Sequence, residues 1–394
     1  MNLIHLVLIV AFATPLFGAG DGTSLPVPQK PATTSYLLTN DDLPTKVGAS
    51  SSSIFTIAAD GTLLNPTRVS LGGAGTAGGY FAAARVSVLQ SNTDACAYLS
   101  LGSAGEVSSV DIHAMQNVGN FSAESTDSGT GNGIGLANNG AYLFASFSAS
   151  QTIATFAIEP GCGLNFLGDI STAGLHLGIV KGMAVRGNIL VVAYGDGSIE
   201  SFNVSAGIPV SNGDRQNATG YTTDRFPAGV DITQDGHYAI FGDVATTATV
   251  EVSDISSGKL AKTVLFNVSS AGNSNTIFLS PDQSLLYVVN TASGQVGAAF
   301  FDKATGKVSP GCTSATLKGY DTDWVFMGNA VTELNTGTGS RLYVAELGTS
   351  SGVGILQVAV SSGKCTLTEA THSPVVDPNS TSLLSIGIYP PRQF

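Results

Sequence analysis

Seven residues have the types and the placement to do chemistry: Arg85, His176, Lys181, Arg225, Asn275, Asp323 and Trp324. The chain carries only 16 Lys and Arg and five His, so a cation beside an apolar run stands out. His176, Arg225 and Asp323 could form an acid/base set that moves a proton or activates water. Arg85 and Lys181 could hold a carboxylate or a developing oxyanion, with Asn275 as an amide donor and Trp324 as a stacking surface. Each also has a plainer reading. An Arg beside a strand pairs with a carboxylate, His176 within Leu175-His-Leu is an edge residue, and Trp324 lines a core. Asp127, Asn273, Asp321 and His372 occupy comparable places, whereas His113 and His237 read as turn or strand-face residues.

What must position these residues is a repeated β unit. The phrase is an apolar run, a small polar turn, a second β-rich run and a Gly-containing hairpin. It starts at Tyr36, Ala97, Ala141, Ile189, Tyr238, Leu286 and Leu342, in steps of roughly 44 to 62 residues. That spacing suits four-stranded propeller blades. Most copies follow a short run ending in a turn signal, such as Val230–Gly236 or Ile277–Asp282, the expected innermost strand of the blade. Asp60-Gly61 and Thr305-Gly306 supply hairpin turns. The first copy has no such preceding strand, while Leu383–Tyr389 is left over at the other end of the sequence. If that strand completes the first blade, the ring closes and its open edges vanish. The expectation is an all-β, seven-bladed β-propeller over residues 36–394; an array of β-sandwiches would have no use for the spare strand. Each candidate residue except His372 lies at or just ahead of an inner strand, where a propeller's channel opens.

Composition narrows the function. Charged residues make up 11% of the chain, and the net charge is −12, which argues against binding nucleic-acid phosphates. No Gly-x-Ser-x-Gly elbow, His-Glu-x-x-His, P-loop or dinucleotide fingerprint sits in a strand–helix setting. Leu71–Gly79 is a glycine-rich loop with no helix after it, and Asp41-Asp42 reads as a turn cap rather than a calcium site. No metal or organic cofactor is expected.

Leu3–Phe12 is an apolar run followed by Pro15 and the small residues Gly18-Ala19-Gly20. Residues 1–20 therefore read as a signal peptide, 21–35 as a linker, and the protein as secreted, with no membrane span in the mature chain. The run lacks a preceding Lys or Arg, so a retained anchor is the alternative. Cys96, Cys162, Cys312 and Cys365 have no Cys-x-x-Cys spacing, and two disulfides are expected. Three connectivities are open. The repeat favours Cys96 with Cys162 and Cys312 with Cys365, each pair on neighbouring units; four buried thiols are the alternative. Sequons at Asn120, Asn203, Asn217, Asn267 and Asn379 are no more numerous than this composition would produce by chance.

Thr39–Leu43 with Ser53–Leu63, Ile277–Asn290 and Phe301–Val308 resemble the blade phrases of lactonase-like seven-bladed propellers. That family includes fungal carboxymuconate-lactonising enzymes and propeller-type phosphogluconolactonases. The resemblance covers most of residues 36–390 and implies lactone hydrolysis or cycloisomerisation. It transfers no catalytic residue. Family members carry a His-containing phrase ahead of an inner strand, where this sequence reads Gly133-Ile-Gly, Pro227-Ala-Gly and Asn275-Thr-Ile. The expected partner is a small lactone or carboxylate, and the protein is expected to be a monomer; a glycan or protein bound on one rim is the alternative.

Overall fold

Strands that are buried on both faces read as continuous apolar runs, and strands with one wet face alternate. Both kinds are present here, at fixed places in each repeat. Leu285–Asn290 (LLYVVN) is buried throughout, whereas Gln116–Ser122 alternates exposed and half-buried residues. The first is a second strand of a blade and the second an outermost strand. The computed structural model describes residues 34–41, 50–75, 84–123, 133–148, 150–173, 179–219, 221, 226–244, 247–268, 274–290, 293–319, 331–336, 339–346, 352–377 and 385–391. The expected leader and all but the end of the linker lie outside these residues.

Seven antiparallel sheets form, six of them with four strands in sequence order from the centre outward and the first with the last strand of the chain innermost, and two carry one further short strand. The inner strands are Val86–Gln90, Gly135–Asn138, Val180–Arg186, Phe226–Ile232, Ser274–Leu279, Val331–Thr336 and Ser385–Tyr389, for blades 2 to 7 and then blade 1. Each packs against the next around the ring. Ser385–Tyr389 pairs with Ser35–Asn40, from Tyr36 opposite Tyr389 to Asn40 opposite Ser385, so the spare strand does complete the first blade. The fold is a seven-bladed β-propeller. Two three-residue 3₁₀ turns are its only helical pieces among the described residues, and no helix is long and apolar enough to cross a membrane.

The core lies between blades. Seven apolar clusters are present, and each draws on two adjacent blades. Strand pleating explains this. In blade 6, Tyr287 and Val289 face blade 7, while Leu286 and Val288 face blade 5. The blade 7–blade 1 cluster includes Ile386 and Ile388 of the closing strand with Tyr343 and Val353. Tyr343 also donates its hydroxyl hydrogen to the Gly61 carbonyl, 2.9 Å away in blade 1. A chain ending at Leu384 would leave this cluster open and blade 1 without its inner strand. It is expected to stay unfolded or aggregate, with no cooperative thermal transition by circular dichroism or calorimetry.

Cys96 is bonded to Cys162 and Cys312 to Cys365, with Cα separations of 5.5 and 5.6 Å. The first bond ties blade 2 to blade 3. The second joins the outer strands Lys307–Thr313 and Lys364–Glu369 of blades 6 and 7.

Candidate functional site

Because the strands are antiparallel, inner strands begin on the ring face where second strands end. Three consecutive inner strands are irregular at that point. In blade 4 the pairing steps from Val180 opposite Tyr194 to Gly182 opposite Ala193, so Lys181 is an extra residue. In blade 6 it steps from Ser274 opposite Asn290 to Thr276 opposite Val289, which makes Asn275 the extra one. Blade 5 shifts between Pro227 and Val230, passing over Ala228 and Gly229. Bulges re-aim side chains and recur beside active sites. The sequence placed Lys181 and Asn275 ahead of their strands; both lie inside them, at equivalent positions.

Lys181 is 9% exposed, and burial pulls its amine down to about 8. It is still roughly nine-tenths charged at neutral pH, a cation with little water to screen it. The bulge is pinned from behind. A Cβ on Gly182 would overlap the Ala228 carbonyl oxygen, so the inner strands of blades 4 and 5 touch backbone to backbone.

Arg85 is fully buried just ahead of the blade 2 inner strand. Its backbone N–H donates to Ser385 Oγ at 3.3 Å, and its carbonyl accepts from the Ser100 N–H at 3.0 Å and Asn40 Nδ2 at 3.2 Å. These bonds tie it to blade 1 as well as blade 2. Its guanidinium lies on the Cα of Gly133 in blade 3; a Cβ there would stand 2.6 Å from Nε. Arg85, Lys181 and the backbone of Asn275 thus share one face of the ring, on blades 2, 4 and 6. His176, Arg225, Asp323 and Trp324 lie outside the described residues, as do Asp127, Asn273 and Asp321. His372 is exposed near the end of blade 7's outer strand.

A second set of groups on this face was not anticipated. Asn40, Tyr194, Asn290 and Glu346 each end a second strand, Asp243 is one residue from the end of its own, and each is at most 1% exposed. Their signal was present in the sequence: five copies of the apolar run close on a polar residue, as in Tyr287-Val-Val-Asn290 and Tyr343-Val-Ala-Glu346. Around Tyr194 the groups form a network. Arg215 Nη2 lies 3.0 Å from Asp196 Oδ2, and Nη1 lies 3.7 Å from Glu200 Oε2. The guanidinium carbon of Arg215 stands 4.2 Å from the Tyr194 ring centre. The Tyr194 hydroxyl donates to Glu200 at 3.3 Å, and the Ser211 hydroxyl donates to its other oxygen. Burial, then the Glu200 charge, raises the Tyr194 pKa, so this hydroxyl stays a neutral donor. The network fixes the end of the strand that pairs beside Lys181.

No family model and no curated protein sequence matches this chain. Solved structures do. A Bacteroides fragilis protein described provisionally as a 6-phosphogluconolactonase superposes with a TM-score of 0.65 at 16% identity, over 92% of this chain and 99% of that one. A Pseudomonas aeruginosa periplasmic gluconolactonase gives 0.63 at 15%, over 90% and 99%. A Lactobacillus plantarum protein gives 0.64 at 14%, again over 90% and 99%. What they share is the propeller. At these identities the likeness extends to the whole seven-bladed fold, with lactonase-named proteins among the neighbours, and not to a specific carboxymuconate-cyclase assignment.

Proposed function

We propose that this protein is an exported lactonase-like propeller that opens a carboxylate-bearing lactone at the ring face where its inner strands begin. The observation that carries the reading is Lys181, a buried cation aimed by a strand bulge. Water would add to the lactone carbonyl and the ring C–O bond would break, leaving a hydroxy acid and one released proton. Lys181 and Arg85 would hold the carboxylate and the carbonyl oxygen as charge develops, with Asn275 as a further donor. His176 would take the proton from water, oriented by Asp323, while Arg225 and Trp324 complete the substrate's surroundings. A muconate-type acid would close by a different step, its carboxylate oxygen adding across a C=C bond while the same acid/base set delivers a proton to the neighbouring carbon. Export is supported by the two disulfides and the leader-like residues 1–20.

The test is a pH-stat assay on aliphatic, sugar and carboxylated lactones, including the lactonised products of muconates. Acid release that is lost in both His176→Ala and Arg225→Ala is the expected result. Silence across the panel from folded, disulfide-intact protein would overturn the enzyme reading in favour of a rim that binds a glycan or a protein.

A further inference from the structure

Buried carboxylates recur at one place in this fold, and one of them is unlike the others. Glu200 in blade 4 lies opposite Val192, and Glu251 in blade 5 lies opposite Phe241, across the same pair of strands. Each has donors. Glu200 has Arg215, the Tyr194 hydroxyl and the Ser211 hydroxyl. Glu251 accepts from the Thr219 N–H at 2.6 Å and from the Thr263 hydroxyl. In blade 7 the equivalent position, opposite Val344, is Gly354. The space is filled from the neighbouring strand by Glu346, which is fully buried. A Cβ on Gly354 would stand 3.0 Å from the Glu346 carboxyl carbon, and one on Gly319 would stand 2.8 Å from it.

Here side-chain donors are missing. Among the described residues no side chain donates to either oxygen of Glu346, the Gly319 N–H is the only donor group that pulls on it, and Oε1 of the nearby Glu369 is buried without a partner. The other oxygen of Glu369 accepts from the Lys318 N–H at 3.2 Å. The Lys318 ammonium is turned away, donating to the carbonyls of Ala370 at 3.2 Å and Ser373 at 3.4 Å. Among the described residues, Glu369 and Lys318 are the charged groups that act on Glu346. Ionised carboxylates only accept, so two of them cannot satisfy each other without a proton.

We propose that Glu346 keeps its proton in the folded protein, inside blade 7 beside the Lys318–Gly319 segment that leaves blade 6, which makes this joint firm in acid and weak in alkali. The proposal is independent of any catalytic activity. Burial, followed by the Glu369 charge, pushes the Glu346 carboxyl up to about 8, against the pull of the Gly319 N–H and Lys318. A carboxyl raised in the folded state contributes stability that is complete below its ordinary value of 4.5 and is lost as pH rises through about 8.

Thermal unfolding of the disulfide-intact protein from pH 5 to 8 tests this, with Glu346→Gln and Glu369→Gln, each with calcium and with EDTA. The wild-type midpoint should fall by about 5 °C over that range, and unfolding at pH 7 should release about one proton. Glu346→Gln should remove most of both effects. Should that variant not fold, Glu369→Gln places an amide donor beside Glu346 and should also flatten the profile. A wild-type profile as flat as the variants', or an unchanged slope in Glu369→Gln, would overturn the proton held on Glu346 against the Glu369 charge. So would a midpoint raised by calcium and lowered by EDTA, because a cation would then fill the place.

Discussion

Lys181→Met is expected to lower kcat/KM on any lactone the protein opens by about 10²–10³-fold while raising its thermal midpoint at neutral pH. The two halves follow from one fact. Lys181 is held where water is scarce, and its amine is pulled from 10.5 to about 8. A base depressed in the folded state costs stability wherever it is charged, and that cost disappears as pH rises from about 8 towards 10.5. Methionine fills similar volume without the charge, so the folded protein should gain up to a few kcal/mol near pH 7. If the charge serves the reaction, the wild-type rate should fall as pH climbs through about 8. Lys181→Arg should retain part of the activity and extend it to higher pH. Steady-state pH profiles with calorimetry on the same preparations check both halves. Unchanged kcat/KM in Lys181→Met would remove this residue from the site.

Gly182→Val should produce the largest loss of stability from a single substitution on this face, about 3 kcal/mol or more. The added Cβ would overlap the Ala228 carbonyl oxygen and stand 2.9 Å from its carbon. Both atoms belong to the backbone of the next inner strand, so no side-chain rotation relieves the contact. Val230 Cγ2, 3.3 Å away, closes the other direction. The strands can separate only by opening the cluster of Val191, Ala193 and Ile232 between blades 4 and 5. Gly187→Ala is the matched control. It lies in the turn after the same strand with nothing within 4 Å, and its φ of +52° should cost only about 1 kcal/mol. Denaturant unfolding of the pair measures the difference. Equal losses would mean that the inner ring is loosely packed at Gly182.

The blades were legible in the sequence because each is a local object. Leu285–Asn290, its turn and Gln295–Asp302 lie side by side in the chain and pair across a short hairpin. The closing strand was legible by counting, since one copy lacked an inner strand and one strand was spare. The favoured cysteine pairs also followed from the repeat, which set each pair on adjacent blades. Lys181 was named from its type, but its bulge was not foreseen, because a bulge depends on pairing register with Tyr194 and Ala193. Buried polar strand ends such as Glu346 went unread as site candidates. In sequence, a charge ending a strand looks solvated; whether it is wet depends on the neighbouring blade.

The strands, their grouping into seven blades and the ring that joins first to last follow from the order of residues, because apolar periodicity and turns act over short chain distances. The environment of each charge came from the packing of blade on blade. Glu346 feels the Glu369 charge and rests on Gly354 and Gly319, and Arg85 rests on Gly133, on strands and loops that only the folded sheets bring together. Burial and proton affinity are properties of that assembled packing, and no window of residues contains them.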